Sequence, residues 1–370
     1  MGVCVRLLAV TVAVVLMAGP AVSAPSAGGL ASSNVEYVAS YPFDAGGAQL
    51  ARVVDGYLYL AGWRGFSIYD IGDPMFPKLV STLPQGFSFP NESLDTDGEI
   101  LLLQEQTPQG ILRVYDVGDK AAPALVGELP GVNDHTIECV LHCTWAYGSS
   151  GAIVDLRDPT APVLAGDWSG GALTFGHTVN EVAPGIVLTT ALPHLQVLDA
   201  RGDPTRPREL ALTPAPSDLV QGVSAWPRLA RDSFILSAEE SSFTGRCDEQ
   251  SSVFRTYDAT NWKKTHTFKA IDELRLTNGT IVDGRPPAGV LGCSTHIFEE
   301  QPDFYDGGIV ALAHYEHGTR FLEVDGRGDI AEVGWFLPWG GQTSAVAWVT
   351  DDIVYAIDVA RGIDILRFNG

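Results

Sequence analysis

Short runs in which apolar and polar residues alternate recur along the chain, each closed by the same Asp, Gly and Pro punctuation. Alternation with period two marks half-buried strands, and clusters of those turn residues mark tight connections. Gly65-Phe66-Ser67-Ile68-Tyr69-Asp70 leads through Ile71-Gly72-Asp73-Pro74 to Pro77-Lys78-Leu79-Val80. The phrase returns at Leu112-Arg113-Val114-Tyr115-Asp116, at Ala152-Ile153-Val154-Asp155 and at Leu195-Gln196-Val197-Leu198-Asp199. Worn copies stand at Arg255-Thr256-Tyr257-Asp258 and Phe321-Leu322-Glu323-Val324-Asp325. The early copies are spaced by roughly 40–45 residues, the length of one four-stranded propeller blade.

Seven such units are expected, built on residues 49–84, 91–130, 135–168, 177–213, 222–276, 296–338 and 343–368. The fifth carries an insertion over 241–252, and a Gly/Pro-rich connection over 278–292 follows it. Val35-Glu36-Tyr37-Val38-Ala39-Ser40-Tyr41 reads as an outer strand that precedes any inner ones. The last unit has three strands and then the chain ends, so this early strand is expected to complete it and leave no bare edge. The predicted fold is an all-β seven-bladed β-propeller closed by an N-terminal outer strand, spanning residues 34–370, with no helix.

Ahead of it, Arg6, an apolar run over 7–17 and Val22-Ser23-Ala24 have the layout of a Sec-type secretory signal peptide over 1–24. Residues 25–33 then read as a flexible leader, and the protein is expected to be secreted. Export changes the reading of the cysteines. Loss of Cys4 leaves four, for which an oxidising compartment favours Cys139–Cys143 and Cys247–Cys293 disulfides. A Cys-x3-Cys metal site is the alternative at the first pair. The net charge of −22 repels nucleic acid and anionic lipid, and no later segment is apolar for long enough to span a membrane. A cation, a small molecule or a protein surface remains as partner, and the chain is expected to act as a monomer.

The strand–turn–strand phrase resembles the LVIVD repeat of exported bacterial propellers. Tyr315-Glu316-His317-Gly318-Thr319-Arg320-Phe321-Leu322 and Val354-Tyr355-Ala356-Ile357-Asp358-Val359 carry the likeness in the last third. The resemblance implies fold and export; it implies no biochemical activity.

In a propeller, residues that open the first strand of each blade and close the second gather at one mouth of the central channel. Aligned this way, three units open with His135, His177 and His296, and the others with Gln49, Asn91, Ser224 and Thr343. The second strands close near Glu105, Glu239, Glu240, His314 and Asp358. Three imidazoles backed by carboxylates suit one zinc, copper or iron ion, with Glu105, Glu239 and His314 in support of the rings. The competing reading is that channel-mouth positions are polar because they meet water, and His314 and His317 suit structural use. Trp63, Arg64, Asp358 and Arg361 are expected on the same face as ligand contacts. His142, His194 and His266 are expected in solvent.

Asp-Gly at 55, 97 and 306 is explained by hairpin geometry without calcium, and the Arg-Gly-Asp tripeptides at 201 and 327 fall in the recurrent turn. No nucleophile elbow, phosphate loop or dinucleotide fingerprint is present. The expected function is a ligand-binding or protein-interaction module acting through the channel mouth. The alternatives are a metal-dependent enzyme on the three histidines and a structural envelope protein.

Overall fold

In a computed structural model of the protein, the chain is described over residues 28–89, 91–170, 176–191, 194–214, 221–225, 234–240, 253–275 and 294–370. The predicted signal peptide, the insertion over 241–252, the connection over 278–292, Cys247 and Cys293 lie outside them. Seven antiparallel sheets follow one another around a ring. Blade one shows the plan: Ala48–Val54 on the inside, then Tyr57–Gly62, Gly65–Asp70 and Lys78–Pro84 outward. Apolar side chains from the two faces of each middle strand bury between blades. Leu58, Leu60, Ile68, Leu101, Leu103, Tyr355 and Ile365 form one such core across blades seven, one and two.

The repeated aspartates make the turns. Asp73, Asp119, Asp158, Asp203 and Asp258 each accept a hydrogen bond from the backbone N–H two residues on. Arg201 and Arg327 bond Asp199 and Asp325 within their own turns, so both Arg-Gly-Asp tripeptides are turn chemistry. At the Asp55-Gly56 hairpin both residues have positive φ, 50° and 78°, as the favoured two-residue turn requires. In each blade the pair formed by the third and fourth strands carries one β-bulge. The bulges twist the exposed rim strands away from straight edge-to-edge pairing.

Val35–Tyr41 pairs antiparallel with Gly362–Phe368 and completes blade seven, as the missing fourth strand requires. The end of the expected flexible leader is corrected. Gly29–Ala31 adds a fifth strand to blade six on Ile330–Pro338, so the start of the chain clasps two blades. Ser32 and Trp335 exchange backbone and hydroxyl hydrogen bonds beside it. The small residues there serve close packing: a Cβ on Gly29 would lie 2.0 Å from the Leu337 carbonyl.

One further expectation changes. One helical turn, Trp262–Thr265, interrupts the all-strand pattern between the last two strands of blade five in sequence and buries Trp262 in the core shared with blade four. Cys139 and Cys143 form the expected disulfide. It closes a turn in which Leu141, His142 and Cys143 all have positive φ, while Cys139 itself pairs with Ala146.

Blades six and seven are tied by Glu299, whose carboxylate accepts from Trp348 N–H at 2.5 Å and whose carbonyl accepts from the indole at 3.1 Å. Burial, against the opposing Trp348 bond, pushes the Glu299 carboxyl up to about 7. Its folded value lies above its unfolded one, so the charged form opposes folding. Stability from this group is full below pH 4.5, falls as pH rises to about 7, and is flat above. A Glu299→Gln variant is expected to lose that slope and to gain on the wild type at pH 8 by on the order of 3 kcal/mol. Urea unfolding at pH 5 and pH 8 measures it; equal slopes for both proteins would discard the assignment.

Candidate functional site on the propeller axis

His135, His177 and His296 meet on the axis, and the group at their centre is Glu92, which the strand alignment does not single out. Glu92 Oε2 lies 3.1 Å from His135 Nε2, 3.1 Å from His296 Nε2 and 3.9 Å from His177 Nε2. Glu240 Oε2 stands 3.1 Å from His177 Nε2, and the Tyr315 hydroxyl donates to Glu240 Oε1 at 3.0 Å. Tyr315 also stacks on the His296 ring at 4.7 Å. Glu92, His177, Glu240 and His296 are all buried.

β-Bulges aim several of these side chains. Register shifts fall at Gln49 in blade one, at His177 in blade four and at Ser344 in blade seven, at the start of each first strand. Each leaves one extra residue out of the ladder, which re-aims its side chain. Ser344 therefore replaces the expected Thr343: its carbonyl accepts from His296 Nδ1 at 2.5 Å, and its hydroxyl donates to Gln49 at 3.2 Å. Thr343 pairs with Asp358 in the blade-seven ladder. In blade two Asn91 has positive φ, 58°, and turns its amide to the Gly62 carbonyl, so the next residue, Glu92, faces the axis. The side chain of Ser224 lies outside the described residues.

The three histidines are not equivalent. Gln106 Nε2 bonds both the His135 carbonyl and His135 Nδ1. That fixes the amide as donor and leaves the His135 proton on Nε2, pointed at Glu92. His135 is thereby a hydrogen-bond donor that orients the carboxylate. His296 spends Nδ1 on the Ser344 carbonyl, and His177 Nδ1 faces the Thr178 hydroxyl at 2.9 Å. Both keep Nε2 for the centre. Glu92 Oε2, His177 Nε2 and His296 Nε2 form a set of candidate ligand atoms within 4.8 Å of one another.

Charge is concentrated there. Burial works against the ionised Glu92, but His296 and His135 outweigh it and hold its carboxyl well below the usual range. Burial opposes the His296 cation as well, yet Glu92 and Glu240 push it up to about 9. His177 moves down, through burial first and His135 second.

The expected supporting groups lie elsewhere. Glu105 pairs with Arg113, and Glu239 with Arg255 and Tyr257; alternation places Glu240 on the axis side in its stead. His314 is buried in the blade-six turn, with neither ring nitrogen hydrogen-bonded among the described residues and its ring against His317. The expected ligand face also separates into structural contacts. Trp63 packs on Phe87 and Phe89, and Arg64 lies over Phe87. Arg361 makes a two-armed ion pair with Asp364. Asp358 caps the turn at Ala360 and Arg361, and burial pushes its carboxyl up to about 6. His142 is exposed, His266 bonds the Leu210 carbonyl, and the side chain of His194 lies outside the described residues.

Comparison with known proteins bears on the fold. The LVIVD repeat model matches residues 45–83, which is blade one. No curated protein matches the chain. Among solved structures, the β-propeller domain of Cps50 (Swd1) from Myceliophteria thermophila is 14% identical, with a TM-score of 0.62 over 90% of this chain and 99% of that one. The WD40 repeats of RRP9 are 10% identical, with a TM-score of 0.58 over 94% and 99%. The WD40 β-propeller domain of Doa1 is 10% identical, with a TM-score of 0.56 over 90% and 97%. No described helix is long and apolar enough to cross a membrane. The chain is a seven-bladed repeat β-propeller.

Proposed function

We propose that the propeller is an exported binding module whose axis holds one divalent transition-metal ion on Glu92, His177 and His296. One observation carries the reading: three donor atoms from three different blades close on a single buried point. For metal–ligand distances of about 2.0–2.2 Å, adjacent ligand atoms stand about 3 Å apart. The spacings of 3.1 and 3.9 Å from Glu92 to the two imidazoles need only a side-chain adjustment to meet that. The outer contacts match what a metal site requires, since each ring spends Nδ1 on an oxygen and turns Nε2 inward.

Imidazole and carboxylate donors suit zinc, copper or iron. Two imidazoles and one carboxylate leave coordination positions open, and those positions are what favours the second reading, a metal-dependent enzyme. A bound ion would supply Lewis acidity there. Of the chain's own groups, His135 holds Glu92, Ser344 holds His296, and Tyr315 holds Glu240 beside His177.

Purified full-length protein is expected to carry about one equivalent of zinc, copper or iron by elemental analysis. A His177→Ala variant is expected to lose at least tenfold of it. Wild-type protein that is metal-free, and whose thermal unfolding none of the three ions shifts, would overturn the proposal.

A further inference from the structure

Beneath Glu92 the axis is hollow. A cavity of about 520 Å³ runs from Glu92 and His177 to the face opposite the histidine-bearing strand starts, where Cys139, His142, Cys143 and Glu181 border it. The Cys139–Cys143 disulfide therefore stands at the outer end of the space that leads to the axial cluster.

The turn that it closes is unlike its counterparts. Blades one, two and four also join their first two strands through positive φ, and place Gly56, Gly98 and Gly185 there, at 78°, 93° and 69°. Glycine takes that conformation without a Cβ clash. Blade three joins Ile137–Val140 to Trp145–Gly148 with no glycine at all. Leu141, His142 and Cys143 stand in succession at 55°, 54° and 48°, a left-handed run of three residues that all carry Cβ. Each brings Cβ close to the next carbonyl oxygen, and such a run persists only where other contacts impose it.

Three contacts do so. The disulfide joins the two ends of the run, and the Thr144 hydroxyl donates to the Leu141 carbonyl at 2.6 Å. The Leu141 N–H donates to Glu181 Oε1 of blade four at 2.9 Å. Cys139 is anchored independently: its N–H donates to Asp95 Oδ2 of blade two at 2.7 Å, and it pairs with Ala146. One end of the turn is thus fixed in the ladder, and the other is held by the S–S bond. Cys139 is half-buried and Cys143 buried, so an incoming thiolate meets the Cys139 sulfur first.

We propose that Cys139–Cys143 is a redox latch, opened by thiol–disulfide exchange with an external dithiol, that controls access to the axial cluster from this face. A thiolate of the dithiol attacks the Cys139 sulfur; the S–S bond breaks, and its electron pair leaves on the Cys143 sulfur, which takes up a proton. The second thiolate of the reagent then attacks its own sulfur in the mixed disulfide and displaces Cys139, which is protonated in turn. The protein gains two electrons, and the reagent becomes a cyclic disulfide. Leu141, His142 and Cys143 then leave the left-handed region, and Glu181 keeps only the Gly185 N–H. Control over the ion rests on the metal reading; the latch itself rests on the turn alone.

Hydrogen exchange on full-length protein, oxidised and after dithiothreitol without denaturant, tests it. Both cysteines are expected to become alkylated, and the Leu141 and Thr144 amides to exchange at least tenfold faster, with blades one and seven unchanged and reoxidation reversing the effect. The paired Cys139→Ser and Cys143→Ser changes are expected to copy the reduced state and to ignore dithiothreitol. Metal release to a chelator is measured on that paired variant, where no thiol reagent competes for the ion, and is expected to be at least tenfold faster than from oxidised wild type. A disulfide that resists reduction in the folded protein, turn amides unmoved by its reduction, or unchanged metal release overturns the inference. Metal-free protein whose turn amides respond as expected removes the metal alone; metal-bearing protein whose turn ignores reduction removes the latch alone.

Discussion

Deletion of residues 34–43 is expected to end cooperative unfolding, leaving protein that is insoluble or melts broadly at least 20 °C below the intact chain. A propeller blade touches only its two neighbours, so a ring that opens becomes a stack with two exposed ends. Here the closing strand pairs from Val35↔Phe368 to Tyr41↔Ile363 and leaves blade seven with four strands. Val35 is buried in the core that Phe321, Trp348 and Phe368 form between blades six and seven. Asn34 adds a side-chain bond to the Val333 carbonyl and accepts from Asn369 N–H. A milder Val35→Asp change, which buries a carboxylate among those rings, should cost several kcal/mol without removing the strand. Thermal and urea unfolding measure both. A truncated protein that melted like the intact one would show that the ring closes by other means.

Glu92→Gln should have the largest effect on the axial site: at least a tenfold loss of bound metal with the fold retained. The amide keeps the shape and one acceptor oxygen but removes the negative charge that two imidazoles face at 3.1 Å. Glu92→Ala goes further and leaves buried imidazoles without their counter-charge, a kind of loss that costs about 3–5 kcal/mol. Elemental analysis and unfolding of both variants separate the two effects. If the Gln variant held as much metal as the wild type, Glu92 would not be a donor.

The order of side chains along the strands explains why Glu92 escaped the alignment while the histidines did not. Alternation assigns a residue to the axis or away from it by parity, and one displaced residue reverses the assignment. That happened at the positive-φ Asn91, which handed the axis to Glu92, and at the bulge holding Ser344, which displaced Thr343. Glu239 and Glu240 differ by the same single step, and only Glu240 reaches His177. Trp63 and Arg361 were expected to face a ligand because their turns lie on the histidine face. Their partners, Phe87 with Phe89 and Asp364, are brought up by folding.

Taken alone, the amino-acid order determined the number of blades, the strand that closes the ring and the shared end at which three histidines begin their blades. Period-two patterning and a repeat of constant length are local properties, readable wherever they occur. Which carboxylate joins the histidines, which histidine only orients it, and the hollow beneath them were decided by the tertiary structure. Those depend on bulges and on contacts between residues far apart in the chain, some by about two hundred positions, such as Glu92 and His296. Such contacts exist only once the ring has brought its first strands around one axis.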